Sequence, residues 1–106
     1  MSETKNYVNE SALFEELKKS LEQEKLTNKA SEILTFMTDR YLNKLAHKSI
    51  EQKEFCRQIS LEASHKYWKE FPVDKPNIRA FPYMTQIIKS GFAKGWRLWE
   101  AKEKAS

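Results

Sequence analysis

Only two glycines and three prolines interrupt this chain of 106 residues. Sheets and hairpins need more turn residues and more β-branched side chains than that, so the chain has to run in long helices. Charged stretches alternate with apolar residues at spacings of three and four, the period of a helix that buries one side. The expectation is one all-α domain of about four helices over residues 1–106. A chain of this length buries about two thirds of its unfolded surface, so it can fold without a disulfide or a metal.

Residues 1–8 read as a flexible leader. Asn9 or Ser11 can cap a first helix with the apolar stripe Leu13, Phe14, Leu17 and Leu21, running to about Lys25. A second helix starts after Thr27-Asn28 and repeats Ala30, Ile33, Leu34, Met37, Tyr41 and Leu45 along one side. "SIEQ" at Ser49–Gln52 is a capping-box pattern, in which the serine bonds the Gln52 amide and the glutamine reaches back. It opens a third helix lined by Phe55, Cys56, Ile59, Ala63 and Tyr67. Pro72 ends that helix, and "PVDKPNIR" is the one real loop.

The fourth helix combines glycines, tryptophans and lysines. At about 100° per residue, Met84, Ile87, Ile88, Gly91, Phe92, Gly95, Leu98 and Trp99 share one arc, the core face. Gly91 and Gly95 sit inside it. Each costs about 1 kcal/mol against alanine in a helix, which close approach of a neighbouring helix can offset. The opposite side carries Tyr83, Gln86, Lys89, Ser90, Ala93, Lys94, Trp96 and Arg97, so Trp96 is an aromatic on a basic, polar face. Charge points the same way. Residues 1–70 hold twelve Lys/Arg and twelve Asp/Glu, whereas residues 71–106 hold seven and three, so the C-terminal third carries the whole net +4. Cations for phosphates, polar side chains for base edges and a flat ring for stacking make a nucleic-acid pattern. A solvated basic helix with a tryptophan covering a neighbour is the bland reading of the same residues.

"KEFPVDKPNIRAFPYMTQIIKSGFAKGWRLWEAKEK" resembles the promoter-reading segment of the late-transcription sigma factors of T-even-type phages, in the sigma-70 superfamily. The likeness lies in Phe71 closing one helix, the short Asp/Lys/Asn/Pro loop, Tyr83-x-Thr85-Gln86 opening the next, and Phe92 before a lysine-rich end. "LEAS" at Leu61–Ser64 and the opening "MSETKNYVNESALFEEL" add to it. The resemblance implies a fold like the second domain of a sigma factor. It places polymerase-docking helices in 27–71 and a DNA-reading loop and helix in 72–106. It also implies docking of the third helix on the clamp helices of the largest subunit of bacterial RNA polymerase core, through Glu54, Arg57, Gln58 and Glu62. Capture of the melted strand of a −10-type late promoter falls on Tyr83, Thr85, Gln86, Lys89, Ser90, Lys94 and Arg97, with Trp96 added from the face assignment. Gln86 and Ile87 stand where bacterial primary sigma factors carry a tryptophan pair, and neutral residues including Ile59 replace an acidic pair of the docking helix. Ending at Ser106, the chain is expected to lack the domain that reads an upstream −35 element and the hydrophobic tail that grips a sliding clamp. A clamp or coactivator is then an open partner.

No enzyme is expected. His47 and His65 are eighteen residues apart without ligands at metal spacing, and no glycine-rich phosphate loop is present, so neither metal nor cofactor is implied. Cys56, the single cysteine, falls on a core stripe and reads as a buried thiol in a reducing cytoplasm, that of the host if the chain is phage-encoded. No apolar run reaches the roughly 18 residues of a membrane span. The competing reading is a small helical adaptor, polymerase inhibitor or anti-sigma-type regulator that never touches DNA. Neutralising four phosphates gives a log–log salt slope of about −3.6, too shallow for tight duplex binding by the protein alone, and both readings accommodate that.

Overall fold

A computed structural model describes residues 9–105; the expected leader at 1–8 lies outside the described residues. The described chain forms four α-helices without strands: α1 (Glu10–Gln23), α2 (Asn28–Leu42), α3 (Ile50–Tyr67) and α4 (Ala80–Ala105). A single 3₁₀ turn, Trp68–Glu70, follows α3. The all-α, four-helix, single-domain expectation holds.

The helix starts follow local chemistry. Asn9 accepts the Ala12 amide at 3.2 Å, Thr27 accepts that of Ala30 at 3.0 Å, and Ser49 accepts that of Gln52 at 3.1 Å. Each pairing satisfies one of the amides that a helix leaves open at its first turn. The return arm of the capping box lands one residue early, with the Lys48 amide donating to Gln52 Oε1 at 2.6 Å. α1 stops at Glu24, whose backbone turns left-handed (φ 59°). α2 ends at Leu42, short of Leu45. Phe71 takes the extended conformation that a following proline demands.

The core joins Leu13 and Leu17 of α1, Ile33, Leu34 and Met37 of α2, and Met84, Ile88 and Phe92 of α4. Trp68 and Phe71 close one end of it. On α3 the buried side differs from the expected stripe. Cys56 is buried as expected, but its companions are Gln52, Ser60 and Ser64. Phe55, Ile59 and Ala63 are half-buried and Tyr67 is exposed.

The two glycines account for Cys56 and Ser60 in this set. A Cβ on Gly91 would lie 2.7 Å from the Cα of Ser60, and one on Gly95 would lie 3.1 Å from the Cα of Cys56. The antiparallel α3 and α4 therefore meet backbone to backbone, and only small side chains fit in their seam. Ser60 satisfies its buried hydroxyl by donating to the Ile88 carbonyl at 3.0 Å. Leu98, expected on the core arc, is 43% exposed. Trp99 is half-buried, with its ring centroid 5.6 Å from that of Phe55.

α1 positions the start of α4. The Glu10 carboxylate accepts the amides of Ala80 at 2.7 Å and Phe81 at 2.8 Å. This is a helix cap supplied from seventy residues away in sequence. A negative charge there also opposes the positive end of the helix dipole. Pro82 is tolerated because its missing amide falls among the first four, which have no partner inside the helix.

Candidate nucleic-acid interface

α4 buries Met84, Ile88, Gly91, Phe92 and Gly95, so its opposite arc is left to solvent. Gln86, Lys89, Ser90, Lys94 and Arg97 are all exposed on that arc. Among the described residues none of these cations enters an ion pair. Three positive charges and two short polar side chains thus stand along about three turns of one rigid helix. Such an arc can follow a polyanion without losing any internal contact.

Three further residues expected on this surface are placed differently. Trp96 is half-buried and packs on the core. Its indole Nε1 donates to Glu100 Oε2 at 3.1 Å, and its ring lies 6.2 Å from that of His47. Glu100 also meets Lys48 at 3.7 Å, so Trp96 belongs to a tie between α4 and the α2–α3 connection. The helical wheel put it on the polar side because a wheel omits neighbouring segments, and here the connection folds over that edge of α4. Tyr83 is held as well. Its hydroxyl donates to the Glu70 carbonyl at 3.1 Å, and its ring stands edge-on to Phe71 at 5.4 Å. Burial, with the nearby Glu70 charge, pushes its phenol pKa up, so it remains a donor. Thr85 is half-buried and opens into a separate groove facing α2.

The residues expected to dock on polymerase also divide. Glu54, Gln58 and Glu62 form an exposed line at four-residue spacing on α3. Arg57 turns the other way, giving Asp39 of α2 hydrogen bonds at 2.7 and 3.3 Å. The hydrogen bond to that carboxylate is the main cause of its raised pKa. Glu62 lies at the lip of an open groove of about 320 Å³ between α3 and α4. Gln86, Ser90 and Lys94 line the opposite side of that groove, over a floor that includes Ile59 and Ile87. The expected docking and DNA-reading surfaces therefore share an edge. Lys66 and Tyr67 also line the groove. The sequence offered a signal for them in a cation–aromatic pair just before the helix break.

The remaining candidates for chemistry are occupied structurally. Cys56 is fully buried and burial pushes its thiol pKa up, which disfavours the thiolate. His65 Nδ1 faces the Leu61 carbonyl at 2.9 Å, which can only accept. Its Nε2 is thereby left to accept from the Ser31 hydroxyl at 2.8 Å. No described helix is long and apolar enough to cross a membrane. Comparison of the chain with protein-family models, characterised proteins and solved structures gives no match.

Proposed function

We propose that this protein is a non-catalytic, sigma-like transcription initiation factor of the phage late type, acting in the cytoplasm of the bacterial host. In this reading the exposed line Glu54, Gln58 and Glu62 of α3 engages the clamp helices of the polymerase core, and α4 meets the melted strand of a −10-type promoter element. The observation that carries the reading is the arc of Gln86, Lys89, Ser90, Lys94 and Arg97, solvent-exposed with its cations unpaired among the described residues. The residue likeness through 69–104 supplies the specific family.

With Trp96 and Tyr83 engaged in internal contacts, DNA contact along α4 rests on charge and hydrogen bonding. Affinity of the protein alone is accordingly low and salt-sensitive, and polymerase has to present the melted strand. One observation favours the competing adaptor or inhibitor role. The α3–α4 groove combines an apolar floor with charges of both signs, Glu62 against Lys66 and Lys94, a mixture suited to a protein partner.

Core-polymerase pull-down followed by transcription from an AT-rich promoter separates the two. Association plus promoter-dependent initiation supports the sigma-like role. Association with repression supports the inhibitor, and absence of association overturns both.

A further inference from the structure

The open groove of about 320 Å³ between α3 and α4 has walls of unlike charge. Glu62, on the α3 wall, is the one carboxylate among its described lining residues, and Lys94 lines the α4 wall. The contrast continues beyond the lips. Exposed Glu54 extends the α3 side, whereas α4 carries Lys89 and Arg97 and no acid between Ala80 and Trp99. Neither Glu62 nor Lys94 enters an ion pair among the described residues. The floor is apolar, with Ile59 and Ile87 half-buried, and Tyr67 is 41% exposed. Lys66, the other cation of the groove, lies over the Tyr67 ring at 5.3 Å.

An apolar floor between an acid and a base narrows the occupant. A polyanion is repelled by Glu62, and a partner protein has to bring both signs at matching positions. A second copy does so by construction. A two-fold axis running along the groove lays the α3 wall of each copy on the α4 wall of the other, with Glu62 facing Lys94 twice over. The smaller groove between α2 and α4, of about 170 Å³, lacks this property. Arg40 and Lys44 line it with Phe81 and without a carboxylate, so two copies meeting there would repel. Area is sufficient as well. With 18 residues in α3, the α3–α4 face is about 27 Å long and about 20 Å wide. Pairing two such faces buries about 1,000 Å², where specific interfaces begin.

We propose that the α3–α4 face is a self-association surface, on which a second copy of this chain docks about a two-fold axis to form a weak, reversible dimer. Ile59 and Ile87 of both copies meet at its centre. The Glu62–Lys94 pairs at the rim fix the relative direction of the copies. The dimer does not depend on the sigma-like role, but it bears on it. A docked copy covers Glu62 and Lys94, so in that reading only the monomer offers them to polymerase and to DNA.

The test is sedimentation velocity of the full chain over about 5–500 μM, a span suited to a micromolar constant. The mass rises from the 12.6 kDa of one chain toward twice that value. Ile59→Asp buries a charge in the paired floor and leaves a monomer throughout. Glu62→Lys alone and Lys94→Glu alone each weaken association about tenfold, because attraction turns to repulsion at two places. Equimolar mixing of these two variants restores it, since each then meets the reversed wall of the other. Arg40→Glu on the opposite flank serves as the comparison, and far-ultraviolet circular dichroism checks that each variant is folded.

A wild-type chain that stays monomeric to about 500 μM overturns the proposal and leaves the groove to another protein. Association that Arg40→Glu weakens as much as Glu62→Lys overturns it too, by placing the interface on another face. Charge variants that fail to recover on mixing overturn the two-fold pairing of the walls. A protein that dimerises in this way and never binds polymerase keeps the interface and sinks the sigma-like role, whereas a strict monomer that initiates transcription does the reverse.

Discussion

The two flanks of α4 are built on opposite principles. Toward α3 the chain uses Gly91 and Gly95 against Cys56, Ser60 and Ala63, so that backbones touch. Toward α2 it uses large side chains, Phe92 against Tyr41 and Ile88 against Met37, which hold the helices apart and leave a cleft above them. The close seam fixes where α4 lies. Both flanks carry a groove, about 320 Å³ beside the seam and about 170 Å³ on the spaced flank, and of the two it is the smaller that holds cations without an acid.

The contrast breaks most sharply at Phe92. Phe92→Ala removes a buried ring from the spaced flank and leaves a cavity, with an expected loss of about 3–5 kcal/mol in denaturant unfolding. Gly91→Ala attacks the close seam by the opposite route. Its new Cβ would sit 2.7 Å from the Cα of Ser60, so backbone has to move. Overpacking of about 1–3 kcal/mol, partly offset by about 1 kcal/mol of helix propensity, leaves a net loss of about 0–2 kcal/mol. A Gly91→Ala variant that melts higher than wild type would show that the seam is looser than described. Gly95→Ala sharpens the same point. Its Cβ meets the Cα of Cys56 at 3.1 Å and the movable Sγ at 3.3 Å, so propensity and crowding nearly cancel and the melting temperature changes little.

Glu10→Ala removes the remote cap and costs about 1–2 kcal/mol, since two amides at the positive end of α4 lose a charged acceptor. Faster hydrogen exchange confined to the first turn of α4 is the accompanying sign. A small effect is also expected at Trp96. Trp96→Phe keeps most of the packing and loses the bond to Glu100, costing about 1 kcal/mol or less, and single-strand binding stays unchanged. A large loss of binding in this folded variant would return Trp96 to the interface.

The sequence by itself determined the secondary structure and most of the core, because those depend on local chemistry and on the period of the apolar residues. Of the alternatives Asn9 and Ser11, Asn9 caps α1, Ser49 caps α3 as its pattern implied, α2 starts within a residue of the expected place, and Leu13, Leu17, Ile33, Leu34, Met84 and Ile88 are buried on the expected faces. The glycine pair was legible as a close approach, but its consequence on the other helix was not. Periodicity looks for apolar residues, whereas Gly91 and Gly95 select small ones, so Ser60 joins Cys56 and Ala63 in the seam while Ile59 turns to the groove.

For the candidate site, five of the eight α4 residues lie on the open arc, since helical geometry alone sets their direction. Trp96, Tyr83 and Thr85 do not, because Glu100 with His47, Glu70 with Phe71, and the α2 wall decide their surroundings. The Glu10 cap and the Arg40–Lys44–Phe81 groove belong wholly to the tertiary structure. Each joins residues dozens of positions apart, and the packing angle between helices, not any local preference, brings them together.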